Sequence, residues 1–146
     1  MSISMVNERA ISPPPLWIRP LARAAVLLAR GIAKLSPERQ FALLKSLRRG
    51  ARASRADEAH RARNAVLFVS VMCTGPWCLQ RSVATALLCR ICGTWPEWCV
   101  GVRTEPFTAH AWVQVDGIPI DEDTEQIDCF HRMVVIRPRS RKEPSE

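Results

Sequence analysis

No apolar run in this 146-residue chain approaches the roughly 20 residues that cross a bilayer. Ala65–Met72 is far too short, and Arg23 and Arg30 interrupt the earlier stretch. The N-terminus lacks the charged, apolar, then small-residue order of a secretory signal, which predicts a cytoplasmic chain. Its six cysteines are then expected to be thiols, because reducing compartments keep structural disulfides rare. Cys89-Arg90-Ile91-Cys92 has redox or zinc-like spacing, and Cys73, Cys99 and Cys129 could complete a metal site. Yet there is no second such pair, and His131 lacks a partner at ligand spacing, so packing or incidental thiols are the expected reading. The basic N-terminal half lacks a nucleic-acid motif and interleaved aromatics, which argues against a nucleic-acid partner.

The formal charge of +7 is unevenly spread: residues 1–65 hold 13 Lys/Arg against 4 Asp/Glu, and residues 66–146 hold 8 against 10. Such a basic face is most plainly a solvated helix surface, and it could also hold a partner. The length is that of one domain, enough to bury a core without metal or disulfide staples. Residues 1–15, with Pro13-Pro14-Pro15, read as a disordered or extended tail, and 138–146 as a second tail. Between them, 16–137 is expected to be a single domain with a helical part (16–72) and a core (73–137).

Leu21, Ala24, Ala25, Leu28 and Ile32 recur at helical spacing and predict a helix over 17–35. Ser36-Pro37 starts a second helix that runs through Phe41, Leu43, Leu44 and Leu47 to Gly50. Ser54, followed by Asp57-Glu58, opens a third over about 55–71. Cys73-Thr74-Gly75-Pro76-Trp77 re-aims the chain into a central helix whose stripe Leu79, Val83, Leu87 and Ile91 suits burial and which Gly93 ends. Strand-like segments follow at Trp98–Val102, Ala109–Val115 and Met133–Ile136, with Asp116-Gly117 as a hairpin turn. Helices before an antiparallel sheet predict an α+β fold, its central cysteine-bearing helix packed on a small sheet.

Cys78 heads that central helix, and His110 lies on a strand 32 residues later. A thiol becomes nucleophilic as its pKa falls, and both a helix N-terminus and an imidazolium lower it. Taken alone, a cysteine at a helix start is more often a small buried hydrophobe, and a histidine in an alternating strand can belong to a surface network. Trp112 reads as a wall of a cleft or as core, Trp77 as a substrate contact or core, and His60 as an exposed helix residue.

The wording around the pair is more specific: Cys78-Leu79-Gln80-Arg81-Ser82, then Trp98-Cys99-Val100-Gly101-Val102-Arg103, then Phe107-Thr108-Ala109-His110-Ala111-Trp112-Val113-Gln114-Val115-Asp116-Gly117. It resembles the standalone transglutaminase-like leader peptidases of lasso-peptide biosynthesis, from about residue 20 to 137. The resemblance implies a cysteine peptidase with a Cys-His-acid triad that cuts the leader from a ribosomally made precursor peptide. It also implies a leader-recognition protein and an asparagine-synthetase-like cyclase as partners, with no cofactor bound directly and ATP entering through the cyclase. Carried over by residue, Cys78 is the nucleophile and His110 the base, and the Cys78 N–H could form half of an oxyanion hole. Another amidase or acyltransferase of the same kind, or a non-catalytic peptide-binding module, remains the alternative.

Three acids compete for the third place. A two-residue turn at Asp116-Gly117 pairs Val115 with Ile118, sets Asp123 opposite His110 and Asp121 diagonal to it, and turns Glu122 to the other face. A bulge at Gly117 would move the register by one and bring Glu122 to His110. The family pattern places its acid twelve residues after the histidine, which ranks Glu122 first and Asp121 second.

Overall fold

The computed structural model describes residues 12–70 and 77–139. The order is α1 (Ile18–Ala33), α2 (Pro37–Leu47), β1 (Arg52–Ala53), α3 (Ala56–Val69), α4 (Cys78–Ile91), β2 (Thr94–Trp95), β3 (Glu97–Arg103), β4 (Thr108–Val115), β5 (Ile118–Pro119), α5 (Thr124–Asp128) and β6 (His131–Ile136). Helices precede an antiparallel sheet of strand order β5-β4-β3-β6, the expected α+β plan. The expected break at Cys73–Pro76 lies outside the described residues, as do residues 1–11 of the expected tail. Ser12–Pro15 lies against α3, where the Ser12 N–H donates to Asn64 Oδ1 at 3.0 Å and Asn64 Nδ2 donates to the Ser12 carbonyl at 2.7 Å.

The central helix differs from the one-sided stripe expected of it. Every residue from Arg81 to Cys89 is buried, whereas Ile91, the last member of the stripe, is exposed. The cause is that α4 is enclosed, with α1 and α3 on one side and β4 on the other. The phase of α1 follows from this. Ala22, Ala25, Val26, Ala29 and Ile32 are its buried residues, while Ala24 and Leu28 face outward. Small side chains at i, i+3 and i+7 let two helices approach closely, so the alanine ridge faces the core in place of the larger Leu28.

Other elements end as their residues dictate. Pro37 occupies the first turn of α2, where its missing N–H costs nothing. Ser54, expected to cap α3, instead donates its hydroxyl to Thr94 Oγ1 at 2.7 Å beside the short parallel β1–β2 pair. The N-cap position falls to Arg55, whose N–H donates to Glu58 Oε1 at 3.1 Å. Buried tryptophans have their polar edges satisfied: Trp98 Nε1 donates to Ser82 Oγ at 3.1 Å, and Trp95 Nε1 donates to the Ile136 carbonyl at 3.2 Å.

Strand alternation gives the sheet two unlike faces. Ala111, Val113 and Val115 join Trp98 and Ile136 in the main core. Gly101, His110 and Trp112 lie on the opposite face, where Cys99, Trp112, Ile127 and Phe130 form a second, smaller cluster. Gly101 sits directly across from His110, at a register shift between β3 and β6. A Cβ there would lie 2.9 Å from the Trp112 ring, 3.0 Å from the His131 carbonyl oxygen and 3.1 Å from Phe130 Cβ. Gly101→Ala is therefore expected to destabilise the fold by about 1–3 kcal/mol, the usual cost of overpacking. Urea unfolding measures this, and a midpoint equal to wild type would mean that the Trp112 face has room to give.

Candidate active site

Cys78 is the first helical residue of α4, so its N–H has no acceptor within the helix and the helix dipole favours negative charge on its sulfur. The His110 ring and the Ala111 backbone N–H both act on the thiol and favour its charged form. That N–H is available because β5 is only two residues long. Val115 pairs with Ile118, and the Ile120 N–H donates to the Val113 carbonyl at 3.0 Å, so Val113 turns its backbone polar groups toward the β5 side. By strand parity Ala111 does the same, one step beyond the end of β5, and the sulfur takes the place of a strand partner.

His110 is buried and held on three sides. Its Nε2 donates to Glu122 Oε2 at 2.8 Å, which leaves Nδ1 for Cys78. Its ring stacks on Trp112, with centroids 5.8 Å apart and planes at 17°, and meets Phe130 at 5.5 Å. Trp112 is thus core behind the histidine. Trp77, beside the thiol, is 47% exposed and so does not fill the core.

Glu122 is equally deep, and a charge there needs compensation. Besides His110 it has Arg81 Nη2 at 3.7 Å from Oε1, on the helix that carries Cys78 and one turn along from it. Asp121 points elsewhere: His60 Nδ1 donates to its Oδ2 at 2.6 Å, and Arg63 Nη1 stands 4.0 Å from the same oxygen. His60 is therefore a half-buried partner in the site's surroundings and not a plain surface residue.

The hairpin argument from the sequence needs correcting here. Asp116 (φ 52°) and Gly117 (φ 78°) both take left-handed conformations, and Val115 pairs with Ile118, so the turn is the two-residue type without a bulge. That register was expected to turn Glu122 away from His110. The strand does not run on in that register. Asp121 adopts φ 52°, which breaks the alternation after Ile120 and swings Glu122 onto the His110 side. Asp123, predicted opposite His110 in this register, is exposed and instead caps α5, its Oδ1 accepting from the Glu125 N–H at 3.0 Å.

His60, Arg63 and Arg81 escaped the sequence reading as members of this group. One signal was present: Arg63 shares the buried face of α3 with Ala59, Ala62 and Val66, an apolar stripe on which a lone arginine calls for a buried partner.

Residues 22–135 match the transglutaminase-like superfamily. The chain belongs to that superfamily. Searches of curated proteins and of solved structures return no significant match. In this transglutaminase-like chain the thiol, imidazole and carboxyl group come from a helix start, a strand and the segment after the following hairpin.

The electrostatics separate Cys78 from its fellow thiols. Burial pushes Cys89 and Cys99 up to about 12. Burial also pushes Cys78 up, but the His110 bond, the Ala111 N–H and the nearby His110 and Arg81 charges outweigh it and leave the thiol below its ordinary value. For His110 burial pulls downward, and the bonds to Cys78 and Glu122 outweigh it, raising the imidazole to about 9. Both shifts favour the thiolate and imidazolium pair over the neutral one. Cys92 is exposed, and among the described residues no group of three or more His, Cys, Asp or Glu could hold a metal ion.

The sign of the pH dependence follows. As pH falls through the lowered Cys78 value the thiolate is lost, and as pH rises through about 9 the imidazolium is lost. Alkylation by iodoacetamide, read cysteine by cysteine by mass spectrometry, should show Cys78 reacting fastest at neutral pH, with Cys89 and Cys99 reacting slowly until unfolded. The Cys78 midpoint should rise in His110→Ala. A wild-type midpoint at the ordinary thiol value of about 8.5 would contradict the ion pair.

Proposed function

We propose that this transglutaminase-like protein is a cysteine peptidase that removes the leader from a lasso-peptide precursor. The observation that carries the catalytic part is a thiol at a helix start, favoured as thiolate by an imidazole whose Nε2 is held by a buried carboxyl group. In this reading Cys78 is the nucleophile, His110 the acid and base, and Glu122 the residue that orients and charges the imidazole. Thiolate attack on the scissile carbonyl forms a tetrahedral adduct, and the Cys78 N–H is one donor to its oxyanion. Imidazolium protonates the departing amine of the core peptide, and the neutral imidazole then activates water to hydrolyse the thioester.

The substrate assignment rests on the resemblance of the Cys78–Ser82, Trp98–Arg103 and Phe107–Gly117 segments to lasso leader peptidases. Under it the partners are the precursor, a leader-recognition protein and an asparagine-synthetase-like cyclase. ATP acts only through that cyclase, and the setting is the cytoplasm. Specificity is shared with the recognition protein or the leader itself, which docks on the basic helices of the N-terminal half. Arg49 and Lys45 are exposed there, whereas Arg48 is partly committed within the fold, its Nη1 donating to the Arg137 carbonyl at 3.0 Å.

The direct test mixes the protein with the recognition partner and candidate precursor and follows leader release by mass spectrometry. Wild type should release the leader and Cys78→Ala none. Glu122→Gln should lose about 100-fold or more in rate, the scale of a disabled acid–base pair. Asp121→Asn, which keeps an acceptor for His60, should lose less. Acyl transfer to an added amine in place of hydrolysis would identify an acyltransferase, and full function after Cys78 alkylation would identify a binding module. Separately, Lys45→Glu with Arg49→Glu should weaken partner binding, most at low salt. Binding indifferent to salt and to these changes would remove the docking assignment.

A further inference from the structure

Among the described residues, α3 reaches the site from outside the Cys78, His110 and Glu122 group. His60 on α3 donates from Nδ1 to Asp121 Oδ2 at 2.6 Å, across 61 positions of sequence, and Arg63 one turn further along α3 stands 4.0 Å from the same oxygen. Asp121 is also the residue with φ 52° that breaks the β5 extension. A non-glycine residue in this conformation is uncommon, although aspartate tolerates it better than most, and it persists where its surroundings hold it. Continued in its hairpin register, the chain would set Glu122 opposite Ala111, on the face of the sheet away from His110. The left-handed step at Asp121 is what brings Glu122 Oε2 to 2.8 Å from His110 Nε2.

We propose that His60 and Asp121 form a positioning clamp: by anchoring Asp121 to α3 they fix the left-handed step that presents Glu122 to His110. The clamp rests on the reading of Cys78, His110 and Glu122 as a triad. It makes His60 and Asp121 positioning residues that act through Glu122 and touch no substrate. Without the anchor, residue 121 relaxes toward extended backbone, Glu122 turns from His110, the imidazolium loses its carboxylate and the thiolate loses its partner. A misplacement of about 1 Å at such a site costs on the order of 100-fold in rate. The loss should fall on kcat more than on KM, as expected of residues that act through the reacting groups.

The test is the pH midpoint of Cys78 alkylation by iodoacetamide in the full chain, with far-UV circular dichroism to check folding. His60→Ala and Asp121→Ala should each raise the midpoint toward that of Glu122→Gln, and the double variant should raise it no further than either single one. His60→Asn, whose amide nitrogen lies at the place of Nδ1, should restore the wild-type midpoint. Asp121→Gly, which accepts positive φ without strain, should shift it less than Asp121→Ala. Folded single variants with the wild-type midpoint, or a double variant whose shift equals the sum of the two, would overturn the clamp. Should the alanine variants not fold, His60→Asn and Asp121→Gly decide alone: a shift in His60→Asn as large as that of Glu122→Gln overturns the clamp. His110→Ala separates the two readings. No shift there refutes the triad and the clamp with it, whereas a shift there with none in the His60 and Asp121 variants refutes the clamp only.

Discussion

A carboxyl group hydrogen-bonded to a histidine inside a protein sets demands on everything near it. Glu122 and His110 are both buried, and a polar group at that depth needs a partner. Arg81 approaches from α4, and Trp112 and Phe130 close the apolar side of the ring. The imidazole consequently has one orientation, with one nitrogen on the carboxyl group and the other left to the sulfur. The enclosure of Arg81–Cys89 of α4 by α1, α3 and β4 serves the same end, since it fixes the helix whose first residue faces the strand.

Three buried or half-buried thiols among the described residues illustrate how position outweighs residue type. Cys89, Cys99 and Cys78 all experience burial that disfavours the thiolate. Only Cys78 stands at a helix start beside an imidazole and a backbone N–H, so only there does the balance reverse. The distinction cannot be drawn from cysteine spacing, because Cys89 and Cys92 have the familiar two-residue spacing, whereas Cys78 is set apart only by the wording around it.

Much of this was legible in the sequence, and the misses share a physical origin. The helices and main strands follow from local periodicity, and Cys78 and His110 stand out through their local wording. The family pattern of twelve residues after the histidine ranks Glu122 first, whereas the two-residue turn, one of two registers open in the sequence, points Glu122 away from His110. That argument assumed continuous alternation after Asp116-Gly117, and one left-handed residue, Asp121, ends the alternation. His60 carries no local sign of its partner, which lies on a segment that only tertiary packing brings near. The phase of α1 failed for a related reason: alanines lie on both of its faces, and which row faces inward depends on the small side chains of the helix opposite.

The two-residue length of β5 has a consequence for what the protein can become. Extending the hairpin by one more pair would cover the Ala111 N–H and add a ladder bond to an otherwise open edge, a gain in the currency of folding. The same extension would take that N–H from the sulfur and carry Glu122 back to the wrong face. A firmer sheet and the present surroundings of Cys78 therefore make opposite demands on this strand, and its shortness is where the two meet.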